Sequence, residues 1–118
     1  MRQEIATKWA EALESGEYEQ GHGALAFSNR HCCLGVLCEL AIADGVDVPK
    51  APAHDGTIRI TYGSQASALP DEVQEWAGMQ TSEGTLPNSG RNTLAGHNDD
   101  GVSFSEIAEI IRENADAL

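Results

Sequence analysis

The chain has 118 residues, which suits one domain able to bury about 65% of its unfolded surface and to hold a core without disulfide or metal staples. Seven basic residues face 19 acidic ones, a formal net charge of -12, so nucleic acid and anionic membranes are poor partners. A hydrophobic share of 41% in periodic segments excludes a disordered chain, and no apolar run reaches the length of a membrane span.

The predicted elements follow in chain order. Ile5, Trp9 and Leu13 recur every four residues, with Ala6 and Ala12 beside them, which predicts a helix from Arg2 to about Ser15, stopped by Gly16. Gly23–Phe27 reads as a short strand and Ser28-Asn29-Arg30 as a turn. His31–Ala43 is almost wholly apolar and too long for a strand, so it predicts a buried helix. Gly35 within it costs about 1 kcal/mol against alanine, a cost that a close approach of another backbone explains. Residues 46–56 carry Pro49, Pro52 and Asp55-Gly56 and read as loop. Thr57–Tyr62 reads as a strand suited to pair with Gly23–Phe27.

Leu69–Ala77 predicts a short helix with Pro70 in its first turn and acids following, as the helix dipole favours. Trp9, Val73 and Trp76 are expected to face the core. Residues 78–92 read as loop, Thr93–Asn98 as one helical turn and Asp99–Gly101 as a turn. Ser103 and Glu106 form a capping box ahead of Phe104, Ile107, Ala108, Ile111 and Ala115, the pattern of an amphipathic helix. The expected fold is α+β: residues 1–118 as a single, mostly helical domain with a small antiparallel sheet.

Little in the sequence carries recognisable catalysis. Cys32 and Cys33 are adjacent and Cys38 lies five residues on, unlike the paired spacing of structural zinc sites. On a helix Cys33 and Cys38 diverge by roughly 140°. Buried apolar thiols are the expectation, with no metal and no cofactor implied. His22 and His54 fall in glycine-rich turns, and His97-Asn98-Asp99-Asp100 lacks the pattern of a calcium loop. No catalytic residue is assigned.

Anion-binding features are more informative. Asn88-Ser89-Gly90-Arg91-Asn92 precedes a helical turn, and Asn29-Arg30-His31 precedes the buried helix, each with an arginine that can fork onto a phosphate. Arg59 lies in the predicted strand, with Tyr62 at its end as a stacking candidate. The candidate ligand-binding set is Arg30, His31, Arg59, Tyr62, Asn88, Ser89, Arg91 and Asn92. Neither loop is a P-loop.

Three pieces of the chain, read together, resemble a family of short proteins encoded by tailed bacteriophages. They are Lys8-Trp9 through Gly16-Glu17-Tyr18 with Gln20 and Gly23; Cys32-Cys33-Leu34-Gly35-Val36-Leu37-Cys38-Glu39-Leu40-Ala41; and Leu94-Ala95 through Asn98-Asp99, Gly101, Ser103-Phe104 and Glu106-Ile107-Ala108. The likeness spans most of the chain except about 46–68 and 80–92, and departs from the family pattern at His97. It implies a viral accessory protein in the host bacterial cytoplasm, where such proteins antagonise host defence, some by trapping a nucleotide signal between subunits. The function expected is non-catalytic sequestration of a small nucleotide-like ligand by a homo-oligomer. Two alternatives stand beside it: an acidic module that blocks a host protein, and a small nucleotide hydrolase.

Overall fold

In the computed structural model, which describes residues 1–87 and 92–118, the stripe Ile5–Trp9–Leu13 is the buried face of helix α1 (Gln3–Glu14). The last helix in the chain packs along it, burying Phe104, Ile107, Ala108 and Ile111. That helix, Phe104–Asn114, is capped as expected: Ser103 Oγ accepts the Glu106 N–H at 3.2 Å. Its Arg112 forks onto Glu14, with Nη1 2.7 Å from Oε2. The fork fixes the pairing of the two helices at the surface and adds little stability there.

Helix α2 (Cys33–Ala43) runs through the middle, with Cys33, Leu34, Gly35, Val36, Leu37, Cys38 and Ala41 all buried. Its first two predicted residues are otherwise engaged: Arg30 and His31 form a strand, and the Cys32 N–H donates to Leu25 O at 3.1 Å. The close backbone approach expected at Gly35 is present, because a Cβ there would sit 1.9 Å from Leu25 O.

Five short strands form one sheet: β1 (Glu19–Gln20), β2 (Ala26–Phe27), β3 (Arg30–His31), β4 (Lys50–Pro52) and β5 (Arg59–Tyr62), in the order β1-β3-β2-β5-β4. The expected pairing of Gly23–Phe27 with Thr57–Tyr62 holds over the shorter strands that form, with Ala26 opposite Ile60 and Phe27 opposite Arg59. Two expectations need correction. The sheet is mixed, because β1 runs parallel to β3. And β4 occupies what reads as loop: it is an edge strand, paired on one side only, where proline breaks no ladder.

The remaining helices are α3 (Asp71–Ala77), α4 (Leu94–Asp99) and α5, the Phe104–Asn114 helix already described. Pro70 is the residue before α3 and not within its first turn; Gly78, at φ +69°, ends it. Val73 is fully buried, whereas Trp76 is half-buried and donates its indole N–H to Asp44 Oδ2 at 2.8 Å. Thr93 caps α4 through Oγ1, which accepts the Gly96 N–H. The architecture is α+β, with no described helix long and apolar enough to cross a membrane.

Candidate functional site

Residues opposite one another across a sheet share a face, and neighbours along a strand alternate. The register therefore divides the predicted site residues. His31, Ala26 and Ile60 form one row, turned toward α2; Arg30, Phe27 and Arg59 form the next, on the opposite face.

The inner row belongs to a polar cluster centred on Glu39 of α2. Its Oε2 accepts the Tyr62 hydroxyl at 2.5 Å and the Lys50 ammonium at 2.8 Å, with His31 Nε2 at 3.9 Å. Lys50 lies 5.7 Å from the Tyr62 ring centroid, and Tyr18 meets the His31 ring edge-on at 5.4 Å. Burial opposes charge on Glu39, but Lys50 and Tyr62 outweigh it and hold the carboxyl below its usual range. Burial lowers the His31 pKa, against the pull of Glu39, and His31 Nδ1 finds no hydrogen-bond partner among the described residues. Glu39, Lys50 and Tyr62 are thus bound to one another, tying β4 and β5 to α2. This corrects the expectation for Tyr62: its ring is wholly buried, burial raises its pKa, and it has no face to offer a ligand. His31 is part-buried in the same cluster, its side chain 12% exposed.

The outer row is open. Arg30 is exposed, Arg59 half-buried, and Phe27 between them is half-buried and outside the apolar core formed by the described residues. The register sets Arg30 and Arg59 on either side of Phe27 along the row, in a chain with seven basic residues. The β2–β3 hairpin that sets this register turns in two residues, with positive φ at Ser28 (52°), the sign pattern of a type II′ turn. A row with an aromatic residue between two arginines carries the groups that stack a flat heterocycle and hold anionic oxygens. The sequence reading found both arginines but missed Phe27. Its signal was available: two residues between Phe27 and Arg30 put them in register.

Asn92 stands elsewhere, in a surface cleft of about 300 Å³ lined also by Thr93, Gly96, His97, Asp100 and Val102, which neither Arg30 nor Arg59 borders. Its carbonyl accepts the Leu86 N–H at 2.9 Å. Asn88, Ser89 and Arg91 lie outside the described residues.

The cysteines are packing groups, as expected. All three are buried thiols. Burial pushes the Cys32 thiol up to about 11 and raises Cys33 and Cys38 as well. Because the thiolate is the reactive form, a thiol reagent at neutral pH is expected to label the native protein slowly and all three cysteines promptly once it is denatured. Prompt labelling of even one native thiol, read by mass, would contradict this packing.

Cys33 also lies at a junction. Its carbonyl accepts the Trp9 indole N–H at 2.9 Å, and its N–H donates to Asn98 Oδ1 at 3.1 Å. Asn98, wholly buried, accepts a second bond from Gln20 Nε2 at 2.9 Å and donates from Nδ2 to Gly21 O at 2.7 Å. The sequence suggests turn chemistry for Asn98; its three shortest side-chain bonds go to partners 65 to 78 residues away, beyond any local signal.

No curated protein and no solved structure matches the chain. Residues 1–115 match the family described as Domain of unknown function (DUF8296), and the chain, matched over nearly its whole length, belongs to that family.

Proposed function

We propose that this protein is a phage accessory factor that acts in the host bacterial cytoplasm and antagonises defence by sequestering a small nucleotide-like signal without turning it over. The observation that carries the reading is the Arg30–Phe27–Arg59 row on the open face of the sheet. The nucleotide stacks its base on Phe27 while its phosphate oxygens accept hydrogen bonds from the guanidinium N–H groups. Binding is favoured over catalysis because the candidate acid–base groups His31, Glu39 and Tyr62 lie on the α2 side of the sheet, away from the Arg30–Phe27–Arg59 row. The phage-like motifs at Cys32–Ala41 and Leu94–Ala108 supply the biological setting.

One flat row touches one side of a ligand, whereas small-molecule sites bury about 70–90% of theirs. A second copy of the chain, laid over the first, completes the enclosure and makes the binding form a homo-oligomer. Native mass spectrometry with a nucleotide panel tests this. The expected species is an oligomer carrying intact nucleotide. Phe27→Ala and Arg30→Gln are each expected to weaken binding by about tenfold or more, since a stacked base or a charge-assisted hydrogen bond is worth roughly 1–3 kcal/mol. Arg30 is well placed for this test: its side chain is 61% exposed and its nearest carboxylate, Glu19, is 3.9 Å away, so its loss leaves folding intact. A bare monomer with every nucleotide unbound sinks the proposal and turns the search to a host protein.

A further inference from the structure

The open row does not end at its arginines. Glu19 pairs with Arg30 across β1 and β3, with Oε2 3.9 Å from Nε. At the other end Asp55 forms an ion pair with Arg59. Each arginine of the row thus has a carboxylate partner. Two cations are balanced by two anions, within a chain of net charge -12.

The two carboxylates differ in freedom. Glu19 is 67% exposed at the tip of a flexible side chain and can swing aside. Asp55 cannot do so cheaply. Its Oδ1 accepts the Thr57 N–H at 3.0 Å and the Thr57 hydroxyl at 2.5 Å, while Oδ2 faces Arg59. Those bonds, from Thr57 first and Arg59 next, hold its pKa well below the usual carboxylate range, so it stays ionised. The Arg59 Nε in turn donates to Thr57 Oγ1 at 3.3 Å, which fixes the guanidinium against the same turn. Any phosphate that docks on Arg59 meets the field of a fixed negative charge.

We propose that this face selects phosphodiesters, with one negative charge per phosphorus, over phosphate monoesters and polyphosphates, and that Asp55 is the residue that sets the selection. The inference rests on the reading of the Arg30–Phe27–Arg59 row as the ligand site. A diester oxygen takes hydrogen bonds from a guanidinium and brings a single charge near Asp55. A terminal monoester phosphate carries about -1.5 to -2 at neutral pH, and a triphosphate carries more. Each surplus charge is repelled by Asp55 and Glu19 without a further cation on the row to offset it.

Calorimetric titration of the full chain with a 3′,5′-cyclic mononucleotide and with the 5′-triphosphate of the same base tests the inference. The cyclic diester is expected to bind at least about tenfold more tightly, the scale of one added like-charge contact in a water-rich setting. Added salt should narrow the gap by screening the repulsion. Asp55→Asn, checked for folding by circular dichroism, should narrow it at low salt, and Glu19→Gln should do so less. A triphosphate that binds as tightly as the diester, or a gap that Asp55→Asn leaves unchanged, overturns the selection while the face remains the site. Failure of both nucleotides to bind, or binding indifferent to Phe27→Ala, overturns the reading of the face itself and the selection with it.

Discussion

Replacing Gly35 with alanine is expected to destabilise the protein by about 3 kcal/mol, although alanine is the better helix former by about 1 kcal/mol. The added Cβ would stand 1.9 Å from Leu25 O and 2.9 Å from Leu25 C, both backbone atoms that no rotamer change can move. The same carbonyl accepts the Cys32 N–H, so relieving the clash also strains the bond that leads the chain into α2. Urea unfolding gives the measure, with Gly16→Ala as the control. Gly16 has φ +80° and open space around its Cβ position, so that change reports backbone strain alone, about 1 kcal/mol. Should Gly35→Ala cost no more than Gly16→Ala, the approach of α2 to the β2 segment is not the rigid constraint described above.

The contrast between those two glycines shows which features of this fold a sequence can carry. Gly35 interrupts an apolar helix at a known energetic cost, so a packing reason could be inferred before the structure showed its partner. The periodic faces of α1 and α5, and the capping box at Ser103, were legible for the same reason: helical signals are local. Strands β1, β3 and β4, of two or three residues each, carry no such signal. Gln20 finds His31 and Lys50 finds Tyr62 only because the rest of the molecule brings them together. Within the site, the alternation of Arg59-Ile60-Thr61-Tyr62 already separated the two polar members from the two apolar-bodied ones. Tyr62 was assigned to a ligand because it ends the strand, whereas its parity with Ile60 turns it toward α2. The carboxylate that receives its hydroxyl belongs to Glu39, 23 residues earlier, which no spacing could reveal.

The resemblance motifs behave differently again. Trp9, Gln20, Cys33 and Asn98 come from separate stretches and meet in one hydrogen-bonded junction. Those strings therefore join α1, the β1 segment, α2 and α4. Arg59 and Asp55 lie in the stretch the resemblance does not span, and Phe27 falls between its strings. Those residues hold the scaffold, and the open face carries a different set of side chains.

That junction sets the largest loss expected from a single side chain. Asn98→Ala is expected to cost about 3–5 kcal/mol, much of the 5–15 kcal/mol that holds a typical domain folded. The change strands the Cys33 N–H and the Gly21 carbonyl in the interior, at roughly 1–3 kcal/mol each, and deprives Gln20 of one of its two acceptors. Asn98→Asp separates shape from chemistry. The retained Oδ1 still accepts from Cys33 and Gln20. The second oxygen, however, replaces the Nδ2 donor that sits 2.7 Å from Gly21 O, and so sets two acceptors against each other. A buried carboxylate in that place favours its protonated form, which can donate to Gly21 O, so its folded pKa rises above the unfolded value of about 3.9. A raised folded pKa means stability that is present at low pH and lost as pH climbs through the folded value. Asn98→Asp should therefore fall furthest behind the parent protein at about pH 7 and regain ground at about pH 5, while Asn98→Ala keeps the same deficit at both. Urea midpoints of the three proteins at the two pH values decide the matter. A loss under about 1 kcal/mol for Asn98→Ala would mean that water replaces the amide and that the junction does not hold the scaffold.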